Sequence, residues 1–168
     1  MEIRKTRAYR NCNPLNIRWT KARWQGQIGK DEAGFVKFAN FGYGYRAAVR
    51  ILRSYWLKHV RTLEEIITRW APPEDGNDTE QYINTVTGMM QANGRTTGAT
   101  LAGQEGQSEP CVVNRDTQME LSNRDLIVQL LLAMTRVEMG ASSAQAHSLR
   151  PYAEMGYDLA ANDPEFFG

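Results

Sequence analysis

Cysteine and histidine are scarce in this chain, two of each among 168 residues. Cys12 and Cys111 allow at most one disulfide, and two free thiols fit better where no export signal is visible. His59 and His147 are isolated, so no His/Cys ligand spacing is present and neither a metal nor a cofactor is expected. Long apolar runs are missing too. The longest, residues 126–134, is broken by Gln129 and falls far short of the roughly 20 residues that a membrane-spanning helix needs. Residues 1–10 are polar and basic with no apolar stretch behind them, which predicts no cleavable signal and no membrane insertion. No internal repeat is evident.

A net charge of either sign is lacking as well, at +1, but the sum hides a split. Residues 1–61 carry fourteen Lys/Arg and three acids, a net +11, whereas residues 62–168 carry six and sixteen, a net −10. Such a division fits a face built for a polyanion, or two halves that neutralise each other in the fold. With 42% hydrophobic and 23% charged residues, the composition is that of a globular protein, and the length suits a single domain over 1–168.

Local patterns then give a mainly α (α+β) chain. The first forty residues are irregular and β-like, with Phe35-Val36-Lys37-Phe38 predicting a small hairpin. From Tyr45, apolar residues recur at helical steps through Ala48, Val49, Leu52, Tyr55, Trp56 and His59. Thr62 and Glu65 form a capping box for a second helix, which Pro72-Pro73 ends. Asp78 or Thr79 caps a third, carrying Tyr82, Ile83, Val86, Met89 and Met90 and closing at Gly94. Residues 94–114 predict a loop or inserted lobe. Ser122 with Asp125 is expected to cap a helix over 123–139 that is apolar around almost its whole circumference, hence enclosed by the others. Pro151 opens a last helix.

Glu138 ends that enclosed helix, just before Met139-Gly140. Burial there disfavours the ionised carboxylate, and the negative end of the helix acts in the same direction. An acid with a raised pKa is what protonation of a glycosidic oxygen requires. The plainer reading is an ordinary last-turn Glu, salt-bridged to Arg136 or another neighbour.

Five blocks add to this. Asn11-Cys12-Asn13-Pro14-Leu15-Asn16-Ile17-Arg18 resembles the N-N-N-P-G-N-I-R opening of a family of phage and prophage lysozyme-like proteins. Trp24-Gln25-Gly26 resembles its W-x-G, and Gly34-Phe35-Val36-Lys37-Phe38 with Gly44-Tyr45-Arg46-Ala47 its F-x-x-F and G-x-R-A. Ile66-Ile67-Thr68-Arg69-Trp70-Ala71-Pro72-Pro73, leading to Asn77-Asp78-Thr79 and Tyr82-Ile83, is similar to its I-I-x-R-W-A-P-P-x-E-N-D-T-x-x-Y-I. Arg136-Val137-Glu138-Met139-Gly140 shares Arg, Glu and Gly with its R-H-E-N-G. Three departures stand out: Leu15 replaces Gly, Val137 and Met139 flank the Glu, and Glu74-Asp75-Gly76 lengthens one loop.

The resemblance implies a lysozyme-like helical domain in permuted chain order, with Glu138 brought beside the 13–18 loop. It implies a muramidase or lytic transglycosylase acting on peptidoglycan glycan strands, with Glu138 as general acid/base. Asp31 and Glu32 are candidates for a second carboxylate, as are Glu74 and Asp75, though each also suits a solvated turn. A lytic transglycosylase needs no second acid, because the substrate's N-acetyl group assists. Trp24, Tyr43, Tyr45 and Tyr152 are candidates to stack on sugars; Tyr45 falls on an apolar stripe and is the better core residue. Asn13, Asn16 and Arg69 are candidates to bond acetamido or lactyl groups. Such a protein is made in the bacterial cytoplasm and acts at the wall or in a virion after delivery by other means. A non-catalytic wall-binding or virion protein is the alternative, and a nucleic-acid-binding domain ranks last for want of a motif.

Overall fold

The computed structural model describes residues 2–97 and 112–167. It is mainly helical with one small antiparallel hairpin, the expected class. Most of the predicted loop at 94–114, Cys111 included, lies outside the described residues. Cys12 is a free thiol, and burial pushes it up from its ordinary range. Among the described residues no helix is long and apolar enough to cross a membrane.

The first forty residues are less β-like than their composition predicts. Thr6 caps a four-residue helix, α1 (Arg7–Arg10), by accepting from the Tyr9 amide. The hairpin pairs β1 (Gln27–Lys30) with β2 (Val36–Phe38), and Val36 and Phe38 turn inward. α2 (Phe41–Leu57) starts four residues before Tyr45, because Asn40 accepts from the Tyr43 amide and acts as its cap. The helix ends before His59, which is exposed in a left-handed turn. Gly44 sits where α2 crosses the N-terminal loop; a Cβ there would lie 2.6 Å from the Cys12 carbonyl and 2.8 Å from Pro14. Only a bare backbone permits that approach.

α3 (Leu63–Trp70) has the expected capping box of Thr62 and Glu65. A single 3-10 turn (Pro73–Asp75) then leads to α4 (Thr79–Thr97), whose cap is Asp78, accepting from Gln81. Thr79 instead donates to the Ala71 carbonyl and ties the loop shut. α4 continues past Gly94, since its backbone stays helical to Thr97. α5 (Arg124–Met139) is capped by Asn123 rather than Ser122, and residues 126–135 are all buried, including Gln129 and Thr135. α6 (Ser143–His147) and α7 (Arg150–Ala161) close the bundle, with α7 packed along α2. Tyr45 is fully buried and shares a 2.7 Å hydrogen bond with Thr135, so it is a core residue that joins α2 to α5.

Among the described residues, few close ion pairs cross the charge split. Asp163 pairs with Arg46 and Arg50, but Arg115, Arg124 and Arg150 engage Glu64, Glu80, Asp158, Glu154 and Asp125 within the acidic part.

Gly44→Ala separates packing from helix propensity. Propensity alone favours Ala by about 1 kcal/mol. The contacts at Cys12 and Pro14 predict a net loss of about 1–3 kcal/mol, read by urea unfolding.

Candidate functional site

A cleft of about 1140 Å³ opens between the N-terminal loop and hairpin on one side and α2, α3 and the 71–77 turn on the other. Leu15, Asn16, Arg18, Trp24 and Phe35 form the first wall; Tyr55, Lys58, Trp70, Asp75 and Asn77 are on the second. Glu138 lies in its lining, at the end of α5.

The end of α5 is set by Gly140. Its φ of 64° is left-handed, which costs glycine little, and the following chain bonds back to Arg136. Glu138 in the last turn then meets the N-terminal loop from 122 residues away. Asn16 Nδ2 donates to Glu138 Oε1 at 3.1 Å and to the Glu138 backbone carbonyl at 3.2 Å. Tyr82 Oη donates to Oε2 at 2.9 Å, and the Trp70 side chain is near enough to help stabilise the ionised carboxyl. Burial pushes the Glu138 carboxyl up, and the three donors offset part of the rise by stabilising the ionised form. Arg136 is not its partner; that guanidinium donates to Ser143. Burial drives the Tyr82 phenol far above its ordinary range, with the neighbouring carboxylate adding to the effect, so Tyr82 is a fixed donor.

Asn16 reaches Glu138 from a left-handed backbone, φ 53°, a conformation that Asn tolerates better than most residues. Asn13 holds that turn. Fully buried, it accepts from the Ile17 amide and donates to the Ile17 and Val36 carbonyls, each at 2.9 Å. It is a brace inside the loop and offers no free donor to a ligand. Leu15, which replaces a family glycine, is 1% exposed and needs no positive φ.

Asp31 is likewise consumed by the fold. It accepts from the Phe35 and Ala33 amides, Asn11 and Arg7, and the Phe35 bond leads in holding its carboxyl below the usual range. Neither Asp31 nor the exposed Glu32 is in the lining of this cleft. Asp75 does line it; Glu74 does not.

Of the expected aromatics, Trp24 is in the cleft wall, with Nε1 buried and without a hydrogen-bond partner. Tyr43 packs on Gly26, where a Cβ would clash with its ring at 2.1 Å. Tyr152 stands edge-on to Phe41, on α7. Arg69 is exposed over the Tyr55 ring. These three are outside the cleft lining. Tyr82 and Trp70 are the residues that the sequence does not single out. Each occupies an apolar helix stripe, and the signal is that a buried phenol or indole needs a partner for its polar atom.

Tyr82→Phe removes a donor to the ionised form of Glu138. Its titration midpoint therefore rises above that of the parent protein, measured by ¹³C NMR of labelled Glu.

No family model matches the chain. Over 85 residues the chain is 46% identical to Protein P5 of Pseudoalteromonas phage PM2, in a match taking in 48% of this chain and 52% of that protein. The chain thus spans about half the length of this phage relative, to which its likeness is partial.

Proposed function

We propose that this protein cleaves the glycan strands of bacterial peptidoglycan, with Glu138 as general acid/base. The observation that carries the reading is the half-buried Glu138 carboxyl in an open cleft, oriented by Asn16, Tyr82 and Trp70 and raised in pKa by burial. A carboxyl fixed in this way and raised by burial is suited, once protonated, to donating its proton to a glycosidic oxygen. The contact between the helix-ending Glu and the 13–18 loop supports the likeness to lysozyme-like proteins in permuted order.

Two polar atoms on cleft residues lack protein partners. Asn16 Oδ1 and Trp24 Nε1 are both buried without protein partners, on residues lining the same cleft. An unpaired buried acceptor or donor is costly, and a ligand relieves that cost only where the side chain turns to expose its polar atom to the cleft.

Glu138 donates its proton as the C–O bond breaks, and the substrate's acetamido oxygen stabilises the developing positive charge at the anomeric carbon. The resulting carboxylate then removes a proton from water, giving hydrolysis, or from the sugar's own C6 hydroxyl, giving an anhydro ring. The partial match to a phage protein supports a phage or prophage setting, in which the protein reaches the wall by delivery.

A wall-binding protein without activity would keep these contacts and lose only the chemistry. Val137 and Met139, in place of the polar flanks in R-H-E-N-G, are the observation on that side; Met139 is buried in the core.

Glu138→Gln separates the two. It is nearly isosteric, and the expected result is at least about a hundredfold loss of purified-wall clearing, with circular dichroism unchanged. Clearing equal to the parent would remove Glu138 from the chemistry, and loss of activity with unfolding would mark a structural role.

The raised pKa gives a second expectation. Activity needing protonated Glu138 persists above the ordinary carboxyl range and declines as pH rises through the folded-state pKa. Its alkaline limb is expected to disappear with the residual activity of Glu138→Gln.

A further inference from the structure

The cations around the hairpin have no role in the cleft chemistry. Lys21, Arg23, Lys30 and Lys37 are exposed, and none has a carboxylate partner among the described residues. Of the two acids of the same lobe, Asp31 is taken up by Arg7 and by the hairpin turn, and Glu32 is exposed at the turn, so the four cations outnumber the one acid left open. Arg23 and Lys30 lie 5.8 and 5.5 Å from the centre of the Trp19 ring, which brings these two cations to the same indole.

An exposed aliphatic residue stands in the same lobe. The register of the hairpin slips between Gln27 and Gly29, leaving Ile28 without a cross-strand partner and 69% exposed. Ile28 and Lys30, two residues apart on β1, are both exposed, and an exposed branched apolar side chain on a strand that also carries an unpaired cation is a pattern of peripheral membrane contact. The charges are drawn to anionic headgroups, and the side chain enters the headgroup boundary.

A nucleic acid fits less well. Strand-binding surfaces offer open aromatic faces for stacking, whereas Trp19 stands under Arg23 and Lys30, and Phe35 under Arg7 and Arg18. A soluble polyanion also gives Ile28 nothing to bury against.

We infer that the hairpin lobe is a docking surface for an anionic lipid bilayer, with Ile28 as its apolar contact and Lys21, Arg23 and Lys30 as its charged ones. Binding is peripheral and independent of Glu138, so it stands or falls separately from the glycan-cleaving activity.

Vesicle co-sedimentation with the full chain tests it, comparing phosphatidylcholine vesicles with ones containing about 30% phosphatidylglycerol. The parent protein should bind the anionic vesicles only. The triple variant Lys21→Gln, Arg23→Gln, Lys30→Gln should bind about a hundredfold more weakly. Ile28→Ser keeps every charge and is expected to weaken vesicle binding about tenfold, while leaving any retention on duplex DNA unchanged. All four positions are exposed, so circular dichroism should match the parent. Equal binding to both vesicle types overturns the proposal. So does binding to duplex DNA as tight as to anionic vesicles, with Ile28→Ser indistinguishable from the parent in both.

Discussion

One side-chain amide joins the two ends of this site. Asn16 bonds the Glu138 carboxyl and the Glu138 backbone carbonyl together, across 122 residues of chain. The backbone carbonyl is in the last turn of α5, where helix carbonyls lack intrahelical donors. A single residue therefore completes a helix end and aims its acid. The bond depends on the left-handed turn at Asn16, on Asn13 holding that turn from within, and on Gly44 letting α2 approach the loop. The cleft follows from the same contact, because the loop that reaches Glu138 also forms one wall.

Burial and hydrogen bonding oppose each other at this carboxyl, and burial prevails. Without donors, the acid would be free to take several rotamers. Without burial, three donors would hold it ionised at neutral pH. The combination gives a carboxyl that is both oriented and raised, which neither effect supplies alone. Asp31 is the contrast within the same molecule: amide donors and little burial hold it low and commit it to a turn.

Much of this was legible because it depends on local chemistry. The Thr62–Glu65 capping box, the all-round apolar α5 and the helix-ending Glu138 all follow from residue order and periodicity. The resemblance added the expectation that Glu138 meets the 13–18 loop, which no periodicity contains. Other features were illegible for equally physical reasons. Asn13 and Asp31 have the chemistry of ligands and acids, and only the folded chain reveals that backbone amides and carbonyls use them up. Tyr82 and Trp70 obey the apolar pattern of their helices, so their polar atoms stay hidden until Glu138 is placed opposite. The early start of α2 depends on Asn40, a cap preceding a glycine-rich turn that propensity disfavours.

The proposed function requires this cleft to hold a glycan with its scissile oxygen at Glu138. A crystal structure of the Glu138→Gln protein soaked with a peptide-free peptidoglycan oligomer tests it most directly. The expected result is a glycosidic oxygen within about 3.2 Å of the side-chain amide introduced at position 138. An oligomer bound elsewhere, or crossing the cleft with no glycosidic oxygen near residue 138, would contradict it.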